Sequence, residues 1–82
     1  MRKLQVVIVS FNLVRGELQA VGHEPAKSPE AGEARASIIA PRYNGVGVYG
    51  VWVDDVTLDA CDLHELARFG QVPDLEALLA AA

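Results

Sequence analysis

Cysteine is nearly absent from this chain of 82 residues: Cys61 stands alone, and no Cys/His pairs fall at zinc-finger spacing. An internal disulfide is excluded, the staples of small secreted domains are missing, and the expected compartment is reducing, the cytoplasm. Long hydrophobic runs are missing too. The stretch LQVVIVSFNLV is eleven residues long and already interrupted by Gln5, Ser10 and Asn12. A membrane span needs about 20 apolar residues, and a signal peptide needs a longer apolar stretch with a small-residue cleavage site, so no membrane association is expected. Positive charge thins out along the chain. Residues 1–41 hold five basic and four acidic side chains, whereas residues 42–82 hold two basic ones, Arg42 and Arg68, against seven acidic. The second half thus carries all the negative excess of a net charge of −4. Direct nucleic-acid binding, which requires clustered Lys and Arg, is disfavoured, and a charged partner is expected to be a protein with a basic surface.

What is present is an ordinary globular composition, 51% hydrophobic and 22% charged, far from that of disordered chains. A single small α+β domain over residues 1–82 is expected. Its core must be thin, because a chain this short buries only about 60% of the surface its unfolded form exposes. From Leu4 to Leu13 the alternation of Val7, Val9, Phe11 and Leu13 with Val6 and Ile8 predicts a strand, apolar on both faces at its start and on one at its end. Arg15-Gly16 predicts a two-residue hairpin turn into a second strand at ELQAV, on a weaker signal than Asn-Gly. GHEPAKSP, residues 22–29, reads as a loop for its two prolines and glycine.

Ser28-Pro29-Glu30 supplies a helix start: a hydroxyl to accept an orphan N–H, a proline suited to the first turn, and a carboxylate at the positive end of the dipole. The inward stripe is read as Ala31, Ala34 and Ile38, joined by Ile39, and Pro41 ends the helix near Ala40. Asn44-Gly45 signals a turn, and VGVYGVWV predicts a third, central strand that Asp54-Asp55 ends. Residues 60–69 admit a short helix capped by Asp59 or an edge strand, LHELARF. Pro73 opens a short C-terminal helix. The result is a small antiparallel sheet, β-β-α-β with order 2-1-3 and a possible fourth edge strand, with one main helix on a face.

Three motifs invite chemical readings. Gly45, Gly47 and Gly50 match G-x-G-x-x-G, but a dinucleotide loop must leave a strand and open a helix, and here the helix comes first and a strand follows. A kinase-type loop needs a valine where Trp52 stands and a lysine beyond it. The glycines are therefore read as packing a strand against its neighbours. Asp54, Asp55, Asp59, Asp62 and Glu65 gather within twelve residues without a Lys or Arg. A calcium loop counted from Asp55 meets Thr57 at its second ligand and Ala60 where glycine is required, so the cluster is read as a solvated acidic surface for recognition. Cys61 and His64 would share a side if helical, and with His23 they define a metal-binding or thiol alternative. Neighbouring carboxylates raise a thiol pKa and oppose its reactivity.

At SPEAGEARASIIAPRYNGVGVYGVWVDD and LARFGQVPDL, about residues 28–76, the chain resembles short uncharacterised proteins of high-GC bacteria and their phages. The likeness lies in an alanine-rich helix, a GV strand and a closing FG-x-VPD, and it implies no functional residue. In size, acidity and lack of a catalytic signature the chain is similar to some anti-CRISPR proteins, small phage products that block a nuclease complex by occupying its surface. The expected function is a non-enzymatic protein-binding module, most specifically a phage-encoded inhibitor. Its partner-binding residues would be Asp54, Asp55, Asp59, Asp62 and Glu65, with Tyr43 and Tyr49 as aromatic anchors. No catalytic residue, metal ligand or cofactor is assigned. A structural or regulatory homo-oligomer is the alternative, the chain being monomer or homodimer, and a small enzyme or metal protein built on Cys61 and His64 is the second alternative.

Overall fold

The computed structural model describes residues 2–54, 56 and 60–75, excepting the side chains of Arg2, Asp54, Ala60, Cys61 and Asp62. The elements run β1 (Arg2–Val14), β2 (Glu17–Ala26), α1 (Pro29–Ile39), a 3-10 turn (Ala40–Arg42), β3 (Gly45–Asp54) and β4 (Ala60–Gly70). The strands form one antiparallel sheet in the order β2-β1-β3-β4. The expected order 2-1-3 is present within it, and residues 60–70 form the edge strand, not the short helix capped by Asp59. The expected C-terminal helix falls mainly on residues 76–82, outside the described residues.

Arg15-Gly16 makes the hairpin turn, with φ of 55° and 83° at the two positions. Two successive positive φ values suit the twist of the flanking strands, at a steric cost for the non-glycine residue. The segment read as a loop, residues 22–29, belongs to β2 as far as Ala26. Pro25 is tolerated there because β2 is an edge strand; the β1–β2 register shift lies further along, between Ser10 and Phe11.

Helix α1 begins as its sequence dictates: Ser28 is the N-cap and its Oγ accepts from the Ala31 N–H at 3.1 Å, with Pro29 following. Its buried residues are Gly32, Ala36 and Ile39. The expected stripe is thus corrected: Ala31 and Ala34 are exposed and Ile38 is 64% exposed. Alanines on every side leave the apolar face poorly marked, and the deciding residue is a glycine. A Cβ on Gly32 would lie 3.0 Å from Cγ1 of both Val6 and Val48, so the helix seats where its backbone approaches the sheet most closely. Val6, Ile8, Val46 and Val48 complete that core.

The sheet has a second apolar side. Phe11, Tyr49 and Val72 are buried there, packed with Val7, Val9, Leu18 and Leu75. As expected, strand β1 is apolar on both faces at its start and on the odd-numbered face towards its end, where Phe11 is 1% exposed and the other face carries Ser10 and Asn12. Trp52 sits near the β3 terminus at 36% exposure. Replacing Arg15 by Asn, which enters left-handed backbone more readily, should raise stability by about 0.5–1 kcal/mol; the urea midpoint measures this, and an unchanged or lower midpoint contradicts it.

Candidate functional site

The three glycines of β3 resolve into three close approaches. A Cβ on Gly45 would overlap the Gln71 carbonyl, and one on Gly47 would lie 2.5 Å from Tyr49 Oη, with the ring lying over the glycine. On the helix side, a Cβ on Gly50 would meet the His64 ring and Leu4 Cδ1 at 3.2 Å. No helix follows the last glycine, since β3 continues to Asp54. The G-x-G-x-x-G spelling is therefore a packing pattern, produced by two glycines on one face and one on the other.

A node at Asn44 holds this end of the sheet. Asn44 Oδ1 accepts from the Leu13 N–H at 2.8 Å, the Asn44 N–H donates to Asn12 Oδ1 at 3.0 Å, and the Asn44 carbonyl accepts from the Gln71 N–H at 2.9 Å. Gly70, with φ of 74°, turns the chain so that residues 71–75 pass back over the face that α1 leaves open. The Asn44-Gly45 pair thus joins β1, β3 and the closing segment.

That face carries the clearest candidate site. Next to the closing segment lies a cavity of about 210 Å³, lined by Val7, Val9, Phe11, Tyr49, Leu63 and Leu75, together with Ala20. Strand alternation explains it: Val7, Val9 and Phe11 are the odd set of β1, and Val7 and Val9 pair with Tyr49 and Gly47 of β3. Tyr49 is 3% exposed, and its hydroxyl is buried with no hydrogen-bond partner among the described residues. Burial, with a smaller push from the Glu65 carboxylate, raises the Tyr49 pKa to about 12, while Arg68 opposes the shift. Arg68 holds Glu65 through Nε at 3.1 Å and Nη2 at 2.8 Å, and lies 3.9 Å from Asp74. A larger groove of about 700 Å³ opens between the hairpin end and residues 70–73, lined by Leu13, Glu17, Leu18, Arg68 and Val72 among others. It gathers no nucleophile with a base.

Of the sequence-predicted partner-binding residues, the structure describes the side chains of Glu65, Tyr43 and Tyr49. Glu65 is bound to Arg68 and so is not a bare carboxylate. Tyr49 is withdrawn from the surface. Tyr43 is half-buried against the helix-side core, on the other side of the sheet from Tyr49. Asp55 and Asp59 lie outside the described residues, and Asp54 and Asp62 are described only as strand positions. His64 and Cys61 are both in β4, so the helical spacing that would pair them is absent. Among the described residues no three His, Cys, Asp or Glu side chains come together as metal ligands, and no helix is long and apolar enough to cross a membrane. Sequence reasoning missed Val7, Val9, Ala20 and Leu63 as a surface. The available signal was the odd set of β1, apolar from Val7 to Phe11 although the even set already supplied a core face. Compared with known proteins, the chain matches no family model, no curated protein and no solved structure.

Two outcomes follow from this geometry. Gly45→Ala should destabilise by about 1–3 kcal/mol or more through overpacking against backbone, whereas Gly22→Ala, with nothing within 4 Å of its new Cβ, should change little; comparable urea midpoints for the two would refute the packing role. A buried, unpartnered hydroxyl costs about 1–3 kcal/mol, so Tyr49→Phe should leave stability equal or higher, and a drop would reveal a partner for the hydroxyl. The pH dependence has a definite sign. With a folded pKa raised from 10.0 to about 12, the unfolded chain ionises first, so the wild type loses stability as pH rises from about 10 towards 12, and Tyr49→Phe should flatten that loss.

Proposed function

We propose that the chain is a non-enzymatic protein-binding module whose working surface is the helix-free face of the sheet. The observation that carries this reading is the second apolar cluster: Val7, Val9, Ala20 and Leu63 surround a cavity whose lining has no polar surface, and only residues 71–75 cross the face among the described residues. Contiguous exposed apolar surface on a small domain marks an interaction site. A sheet apolar on both faces is ordinarily covered on both.

The charge distribution supports a second reading, in which an acidic surface seats on a basic site of another protein, as a phage-encoded inhibitor of a nuclease complex would. Seven of the eleven acidic residues fall in residues 42–82. Opposite charge would then govern encounter rate and choice of partner, while apolar contacts supply the adhesion.

The apolar probe anilinonaphthalene sulfonate separates the two. At submicromolar protein, the wild type should enhance its fluorescence, and Val9→Lys or Leu63→Lys should lower the affinity by about tenfold, with unchanged far-ultraviolet circular dichroism. No enhancement with the wild type would overturn the sheet-face reading. Binding of polylysine that disappears at high salt and leaves the dye signal untouched would favour the acidic surface.

A further inference from the structure

We infer that the cleft between β2 and the C-terminal end of α1 binds the phosphate group of a small molecule. It lies on the helix side of the sheet, away from the apolar face considered above, and does not depend on that reading.

Strand pairing builds its floor. Ser10 of β1 pairs with Gly22 of β2, and Ile8 pairs with Glu24, so Ser10, Gly22 and Glu24 share the face that carries Ile8 and the helix. Ser10 is 5% exposed and lines a cavity of about 170 Å³, and its hydroxyl has no hydrogen-bond partner among the described residues. Leaving such a group unmatched costs stability, and a ligand in the cleft would match it. Gly22 keeps the floor open. Its φ is not positive, so the backbone does not call for glycine, and a Cβ there would meet nothing within 4 Å. The missing side chain leaves room in the cleft.

The walls supply donors. Arg35 of α1 is fixed by its Nε, which donates to Glu24 Oε1 at 2.8 Å; its two terminal nitrogens remain as donors. Arg42, placed by the 3-10 turn, has no acidic partner among the described residues and keeps its whole guanidinium fork. Tyr43 lines the cleft beside it, and Ile39, 6% exposed, forms an apolar wall that strengthens polar contacts nearby.

Charge is sorted around the helix. Glu30 and Glu33 line a separate cavity with Phe69 of β4, whereas Arg35 faces β2. With Glu24 neutralised by Arg35, the described residues of the cleft keep the positive charge of Arg42. His23 also lines the cleft, but it pairs with Val9, and strand parity assigns its side chain to the opposite face. The acidic strand position Asp54 pairs with Arg2, at the other end of β1 from Ser10. The carbonyl end of α1 by itself disfavours an anion. Here the Ala40 carbonyl already accepts from the Tyr43 N–H at 3.2 Å, and Arg42 offsets the remainder.

Shape and size select the ligand. One guanidinium fork satisfies a planar carboxylate, whereas donors from the sheet floor and from two positions on the helical segments suit the oxygens of a tetrahedral anion. The volume of about 170 Å³ equals that of about five or six waters at about 30 Å³ each. That is room for a phosphate and a short ester group.

The test is titration of the full chain, followed by backbone amide shifts, with inorganic phosphate, glycerol phosphate and acetate at one low ionic strength. The expected result is saturable shifts at residues 10, 22, 35 and 42 with both phosphates, and weaker binding of acetate. Arg42→Gln should weaken phosphate binding by about tenfold or more and Ser10→Ala by about threefold, each with an unchanged fold. Gly22→Val, which fills the floor, should abolish it, and the hairpin-turn control Arg15→Gln should bind like the wild type. Tighter glycerol phosphate assigns the cleft to an ester, and tighter inorganic phosphate to the free anion; either supports the site. No saturable shift up to about 20 mM phosphate, weaker than the millimolar range, overturns it. So does phosphate binding that Arg42→Gln and Ser10→Ala leave intact, and acetate bound as tightly as phosphate overturns the ligand class.

Discussion

Strand β1 sets the terms for the whole molecule. Its neighbours β2 and β3 satisfy its backbone on both sides, and its side chains are apolar above and below from Val6 to Val9. Such a strand is stable only if both faces are removed from water. Helix α1 closes one face with Gly32, Ala36 and Ile39 against Val6, Ile8, Val46 and Val48. The other face receives one irregular segment, in which Val72 reaches Phe11 and Tyr49 and Leu75 edges the cavity. The two coverings are unequal. The functional reading proposed above grows from that inequality among the described residues.

The coverings depend on atoms that are missing. Gly32 brings the helix backbone to the valines of the sheet, Gly47 lets the Tyr49 ring lie flat along β3, and Gly45 admits the Gln71 carbonyl. A side chain at any of these positions would push one layer outward. The Tyr49 hydroxyl is carried into this packing without a partner among the described residues, which makes it a cost to the fold.

The elements were legible where local chemistry and tertiary demand agreed. Ser28-Pro29 capped the helix, Arg15-Gly16 turned the hairpin, the β1-β3 crossover order was foreseeable from β-β-α-β, and the edge strand at residues 60–70 was one of two open readings. Where they disagreed, tertiary demand prevailed. Residues 22–26 have loop chemistry and a strand conformation because an edge tolerates Pro25, and α1 turns a glycine inward although hydrophobic counting assigns glycine no weight. The candidate site was legible in part. The odd-numbered residues of β1 announced a second apolar face, but placing Leu63 and Ala20 on it required the pairing of four strands. The aromatic anchors misled for a related reason: Tyr49 and Tyr43 look alike in sequence, but Tyr49 lies within β3 on the face under the closing segment, whereas Tyr43 caps the 3-10 turn ahead of β3 and packs on the helix side.

The sheet is two hairpins joined by one seam. Strands β1 and β2 are linked by a tight turn and β3 and β4 by a short connection, while β1 meets β3 only after the chain between them has been gathered in. Closing that loop costs entropy before any ladder bond repays it. Two side-chain carbonyls, Asn44 Oδ1 accepting from the Leu13 N–H and Asn12 Oδ1 accepting from the Asn44 N–H, sit at one end of the seam. They act as a clasp that sets the alignment of the two halves, so the integrity of the domain is concentrated in a line that neither half can form alone.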